Sequence, residues 1–194
     1  MAIIANATKH RLENALTDPQ ASQDIIGRIG GVNAFREVAA STAITGTTET
    51  QTNFDQSFSI PANTLKVGTR IKIRAQGIHT ATTGAETSTM LLVLGSTTLA
   101  SFVDSNPADN DVFYFDFEVV IRTAGASGTM VGCGTGGAVT PTTGTAKVLN
   151  LASTAIDTTA AQVVGVAIDR QATATDSDSA RLDFLTVDII GGNV

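Results

Sequence analysis

The sequence predicts a mainly β protein: a single jelly-roll-like antiparallel β-sandwich carrying a short helical N-terminal arm. Three observations predict it. Near residue 37 the apolar period changes from about 3.6 residues to about 2, the shift from helix to strand. The run 112–122 alternates, with Phe113, Phe115, Phe117, Val119 and Ile121 on one face and Tyr114, Asp116, Glu118 and Arg122 on the other. Turn signals then recur at short intervals with no helical pattern between them, which marks a sandwich or barrel.

Residues 1–36 form the expected arm and residues 37–194 the sandwich domain. Leu12 and Leu16 stand four apart, on one helical face. In Thr17-Asp18-Pro19-Gln20, Thr17 can cap a helix, Pro19 suits a first turn and Gln20 completes a capping-box spacing. Ile25, Ile26 and Ile29 follow at helical intervals, and Gly30-Gly31 stops the run. Two short helices are expected, near 7–16 and 18–29. Their apolar faces either cover the arm's own domain or dock elsewhere.

The strands follow in order. One is expected near 37–45. Phe54, Phe58 and Ile60 alternate with Asp55, Ser57 and Ser59, and Ile71, Ile73 and Ala75 with Arg70, Lys72, Arg74 and Gln76. Met90, Leu92 and Leu94 share a face. Beyond 112–122, strands are expected near 127–133, 145–151, 162–169 and 181–190, with a further one near 97–103. Turns are expected at Pro61-Ala62-Asn63, Thr83-Gly84, 104–111, Ala124-Gly125, 134–144 and 176–179. About eight to ten strands fit a jelly roll. An immunoglobulin-like sandwich comes second, since the Cys–Trp–Cys core of that fold is absent. In the last strand Asp183 and Asp188 straddle Leu185 and Val187, so one face meets another subunit or the strand is bent.

The composition excludes several function classes. Of 194 residues, 42% are hydrophobic and 15% charged, too apolar for a disordered chain. The net charge of -6 repels phosphate backbones, so no nucleic-acid partner is expected. The apolar stretch at the start is too short for a signal peptide, and no run reaches the ~20 residues that cross a bilayer. A soluble protein made in the cytoplasm, with no membrane partner, is the expectation.

No motif supplies enzyme chemistry, and no catalytic, cofactor or metal residue is expected. Gly132-Cys133-Gly134-Thr135-Gly136-Gly137 matches G-x-G-x-x-G, but Pro141 and the Thr/Gly run after it deny the helix that dinucleotide binding needs, so a flexible loop is expected. Cys133, the single cysteine, reads as a small buried or strand residue. His10 and His79 have no ligand partners nearby in sequence and read as surface or partly buried polar residues. Asp104, Asn106, Asp109, Asn110 and Asp111 fail the calcium-loop spacing and read as a solvated turn. Arg70, Lys72 and Arg74 form a basic ridge, either the wet side of a sheet or a surface for the 104–118 acids of a neighbouring copy.

The run from Ser57 to Gly77 carries a resemblance. Its strand ending in Ile60-Pro61-Ala62, its turn Leu65-Lys66-Val67-Gly68 and its strand Arg70–Gln76 closed by Gly77 resemble segments of tailed-bacteriophage virion proteins, as does Met90–Gly95. The likeness extends over about residues 54–122. Within that class, one small β domain with a helical arm is similar to capsid cement, or head decoration, proteins. The resemblance implies a viral structural protein and no enzyme. It would be a trimer on the outer capsid surface at capsomer junctions, with the major capsid protein and its own copies as partners and no cofactor. In that reading Leu12, Leu16, Ile25 and Ile26 of the arm grip the capsid. The alternative is a tail or baseplate component that binds a host receptor through a loop such as 104–111 or 134–144.

Overall fold

A computed structural model describes the chain at residues 33–46, 50–80, 87–105, 110–139, 144–170 and 178–191. These residues are all-β. In order they form β1 (Asn33–Glu37), β2 (Ile44–Thr45), β3 (Thr52–Ile60), β4 (Arg70–Thr80), β5 (Thr87–Leu94) and β6 (Thr97–Ser105). Then come β7 (Asp111–Thr123), β8 (Gly128–Val139), β9 (Gly144–Ile156), β10 (Gln162–Arg170) and β11 (Ser179–Ile190). The larger sheet runs β1-β11-β4-β7-β8-β9, with β2 also on β11, and the smaller runs β3-β10-β5-β6. Every pairing is antiparallel.

The expected helices, and with them Leu12, Leu16, Ile25 and Ile26, lie outside the described residues. β1 straddles the expected boundary between arm and sandwich at residues 36 and 37. The strand expected near 37–45 is instead two short strands with an irregular crossing at 38–43. Ser41 ties that crossing to β11: its N–H donates to Leu182 O at 2.7 Å, and its Oγ accepts from Leu182 N at 2.9 Å.

The core is the set of inward faces that the alternation marks. Phe113, Phe115, Phe117, Val119 and Ile121 are buried from β7, Ile71, Ile73 and Ala75 from β4, and Met90, Leu92 and Leu94 from β5. Among the described residues aromatic contacts join the sheets at Phe54 with Phe113, Phe102 with Phe115 and Phe35 with Phe58, at ring-centroid distances of 5.9, 5.1 and 5.1 Å. In β11 a bulge between Leu182 and Phe184 turns both Leu182 and Leu185 inward. The mixed pattern around Asp183 therefore has a bent strand as its cause.

The glycine run is a strand, not the expected loop. β8 continues to Val139, and Gly132, Gly134 and Gly136 stand opposite Val119, Phe117 and Phe115 of β7. A Cβ on Gly132 would meet the Phe117 ring at 2.7 Å, and one on Gly136 would meet Leu149 at 2.8 Å and Phe115 at 3.0 Å. The glycines thus make room for the phenyl rings of the next strand. Composition alone reads Gly and Thr as flexibility; here the neighbour's bulk sets the demand.

One end of the sandwich is knit by described loops. Asn63 and Gly68 take positive φ, 62° and 83°, in the connection from β3 to β4. Gly68 N–H donates to Ile121 O at 2.8 Å, and Asn63 and Gly125 N–H groups both bond Thr158.

Candidate functional site

Among the described residues, two gatherings of polar side chains bear on the sequence-predicted residues. The first lies at the opposite end of the sandwich, where β4, β6 and β10 finish and β5, β7 and β11 begin. The backbone register places its members. In the larger sheet His79 stands opposite Asp111 on β7 and Ala180 on β11. In the smaller sheet Ser88 stands opposite Asp104 on β6 and Arg170 on β10. Period 2 turns all of them inward, because His79 continues the stripe of Ala75 and Gly77, Asp111 that of Phe113, Ser88 that of Met90 and Asp104 that of Phe102.

The two rows meet across the core. His79 and Ser88 are 0% exposed and Asp104 5%. His79 Nδ1 lies 3.0 Å from Asp104 Oδ2, and Ser88 Oγ 3.5 Å from His79 Nε2. Beside them the buried Arg170 guanidinium donates through Nη1 to the carbonyls of Gly46 and Asp178, both at 2.9 Å, and through Nη2 to that of Ile44 at 3.0 Å. It holds β2 and the start of β11 in place. Asp111 and Asp178 are buried in the same region.

A carboxylate, an imidazole and a hydroxyl in line have the order of a nucleophilic triad. Here the hydroxyl is buried between two sheets, and its contact with the imidazole is at the outer limit for a hydrogen bond. In this arrangement the cluster is a polar bridge joining the sheets. Buried groups of this kind are costly unless paired, so the pairs fix which strands face one another.

The structure corrects two expectations. His79 is a core residue, not a surface or partly buried one. Asp104 and Asp111 are buried strand residues and not parts of a solvated turn. Cys133 lies in a strand, one of the two places expected for it, and is exposed on the outer face of β8. No group of metal-ligating side chains occurs among the described residues.

The second place is the outer face of the larger sheet. Arg70, Lys72 and Arg74 point outward from β4, as the alternation requires. The acids that complement them lie on the same chain. Arg70 donates to both Glu118 oxygens, Nε at 2.6 Å and Nη2 at 2.9 Å, and Arg74 Nε donates to Asp116 Oδ2 at 3.1 Å. Arg36 on β1 reaches Asp188 on β11 at 3.5 Å. Lys72 stands between Glu118 and Asp188 in register. The Arg70 hydrogen bonds hold the Glu118 carboxyl below its ordinary range, against a smaller opposing effect of burial. The ridge is a laced sheet face whose charges are largely neutralised within one molecule. Next to it, Lys72, Glu118, Cys133 and Asn150 line a depression floored by Gly132 and Gly134.

No protein-family model matches the chain, and no curated protein matches its sequence. Similar solved structures are weakly so. The VP2 subviral particle of infectious bursal disease virus matches at 15% identity and a TM-score of 0.38, over 84% of this chain and 34% of that one. The lectin UEA-II in complex with galactose matches at 10% identity and a TM-score of 0.36, over 81% of this chain and 92% of that one. A legume lectin-like domain from Entamoeba histolytica matches at 7% identity and a TM-score of 0.26, over 87% and 91%. The chain thus spans about a third of the viral capsid chain it is similar to.

Proposed function

We propose that this chain is a viral structural protein, a capsid cement that binds the outer capsid at capsomer junctions and braces the shell, acting as a trimer and without enzymatic activity. The observation that carries the reading is the run from Ser57 to Gly77, which resembles tailed-phage virion proteins. In the structure that run is β3, its turn and β4, where Pro61 follows the last residue of one strand and Gly68 shapes the turn into the next. The strand orders β1-β11-β4-β7 and β3-β10-β5-β6 also interleave early and late strands in both sheets, as a jelly roll does, with β8 and β9 added at one edge.

A cement acts through area and multivalency. An interface of ordinary size buries about 1,600 Å², and much of its free energy offsets the cost of association. Once one subunit of an oligomer is bound, the remaining contacts form within a tethered complex. The reading assigns the grip to Leu12, Leu16, Ile25 and Ile26 of the arm, and to the sandwich the contacts between copies. Its partners are the major capsid protein and other copies of itself, with no nucleic acid or membrane, on the outer surface of a virion.

The test is the copy number of the chain in purified particles, by quantitative mass spectrometry against the major capsid protein. Abundance comparable to the capsid protein is expected. A handful of copies supports the tail or baseplate alternative, and absence from particles removes the virion reading. Deleting residues 1–31 then tests the arm: a folded domain that no longer binds bare capsids is the expected result.

A further inference from the structure

Among the described residues the sandwich is closed on one flank and bare on the other. On the closed flank β1 and the 38–43 crossing cover the edge of the smaller sheet. Phe35 stacks on Phe58 at 5.1 Å, Thr42 N–H donates to Asp55 Oδ2 at 3.1 Å, and the Gln56 amide donates to Ala39 O. On the opposite flank the larger sheet ends at β9 and the smaller at β6, and neither has a further strand beside it among the described residues. β6 packs against β8 and β9, so the two edges lie side by side.

These edges run in opposite directions. β6 ends at the polar bridge, where Asp104 meets His79. β9 begins at that end, as the registers His79 to Asp111, Val112 to Val139 and Val139 to Gly144 show. An edge strand presents N–H and C=O groups without ladder partners, and proteins usually blunt long edges with charge or proline. β9 is 13 residues long, has no proline and carries one charge, Lys147. Its Val148 is 86% exposed. The single charge of β6, Asp104, is turned inward onto His79, while Val103 faces out. On a chain of net charge -6, the described strands of this flank turn no acid side chain toward a second copy.

We propose that a second copy of this chain docks on the bare flank, its β6 pairing antiparallel with β9 of the first. A rotation axis parallel to the strands preserves strand direction, so it sets β9 of one copy antiparallel to β6 of the next. Repeating that operation until it closes covers both edges of every copy. The proposal stands on the two edges alone and is independent of the virion reading.

The test is the solution mass of the full chain, by light scattering after size exclusion, for wild type, Val148→Lys and Val103→Lys. The wild type is expected to be an oligomer, and each variant, with its β-sheet circular dichroism intact, a monomer. An equimolar mixture of the two variants is expected to give a dimer. β9 of the Val103→Lys copy and β6 of the Val148→Lys copy are both sound, so one junction forms and no more. Amide exchange at Val148–Leu151 in the wild type, slow when concentrated and fast on dilution, reads the same contact if either variant misfolds. A monomeric wild type overturns the proposal, whether its β9 amides exchange freely or are covered by its own chain. So does an oligomer insensitive to Val148→Lys. An oligomer broken by Val148→Lys and indifferent to Val103→Lys overturns it in favour of β9 pairing with itself.

Discussion

His79 Nδ1 and Asp104 Oδ2 lie 3.0 Å apart, one on β4 of the larger sheet and the other on β6 of the smaller. Both are buried, so the bond is a polar link between two layers whose core is mostly apolar. Removing the imidazole takes this bond from the buried Asp104 carboxyl.

Replacing His79 by Leu is therefore expected to destabilise the fold by about 1–3 kcal/mol, the cost of an unpaired buried polar group. Replacing Asp104 as well removes the group left behind, so the double variant recovers part of the loss. Urea unfolding of the two single variants and the double variant measures the coupling. Strictly additive losses would show that the pair does not act as a unit.

Gly132→Ala is expected to cost about 1–3 kcal/mol, because the added methyl presses on the Phe117 ring and on the Glu118 carbonyl of β7. Gly165→Ala on β10 is the control. Its methyl would meet Val93 and Ser57 at 3.8 and 3.9 Å, ordinary contact distances. Thermal unfolding of the two variants should separate them clearly. Equal midpoints would mean that β8 can move away from the rings.

The Glu118 carboxyl is held below its ordinary value of 4.5 by the Arg70 hydrogen bonds. The Asp157 carboxyl is held below 3.8 by its bonds from Thr159. A depressed carboxylate contributes stability that is complete above its unfolded value and is lost as the pH falls through its folded value. Wild-type stability should thus decline on acidification below about pH 4.5. Glu118→Gln should lose less over that range while being slightly less stable at neutral pH. An acid limb with the same slope in both proteins would remove Glu118 from the account.

Cys133 faces outward from β8. A thiol reagent should modify the native chain to one equivalent without prior unfolding. Reaction only after denaturant is added would place that side chain inside.

Much of the fold is legible in period and parity. The stripes through Phe113, Ile71 and Met90 mark the buried faces of β7, β4 and β5, and the Pro61 and Gly68 punctuation marks the turn between β3 and β4. The polar bridge is written in the same code. His79, Ser88, Asp104, Asp111 and Arg170 each sit two residues from a buried residue of their own strand, and parity alone turns them inward. Residue type obscured this, because acids near asparagines read as loop. The glycines of β8 hide their role for another reason. What they accommodate is on β7, and no local pattern names the neighbour. The intrachain partners of Arg70 and Arg74 depend in the same way on a strand register across residues 48 and 42 positions away.

The bond between Ser41 and Leu182 spans 141 positions of sequence, and β1 likewise pairs with β11, the last described strand. During synthesis the early segment leaves the ribosome long before its partner exists. Contacts of such high sequence separation make folding slow, since loop closure must precede their reward. Until the final strand arrives, Phe35 and the 38–43 crossing have no sheet to lie against, and the edge of β3 stays open to other chains. Loss of the last strand through a premature stop would therefore release the beginning of the sandwich as well as its end, leaving both to proteolysis or to a foreign strand.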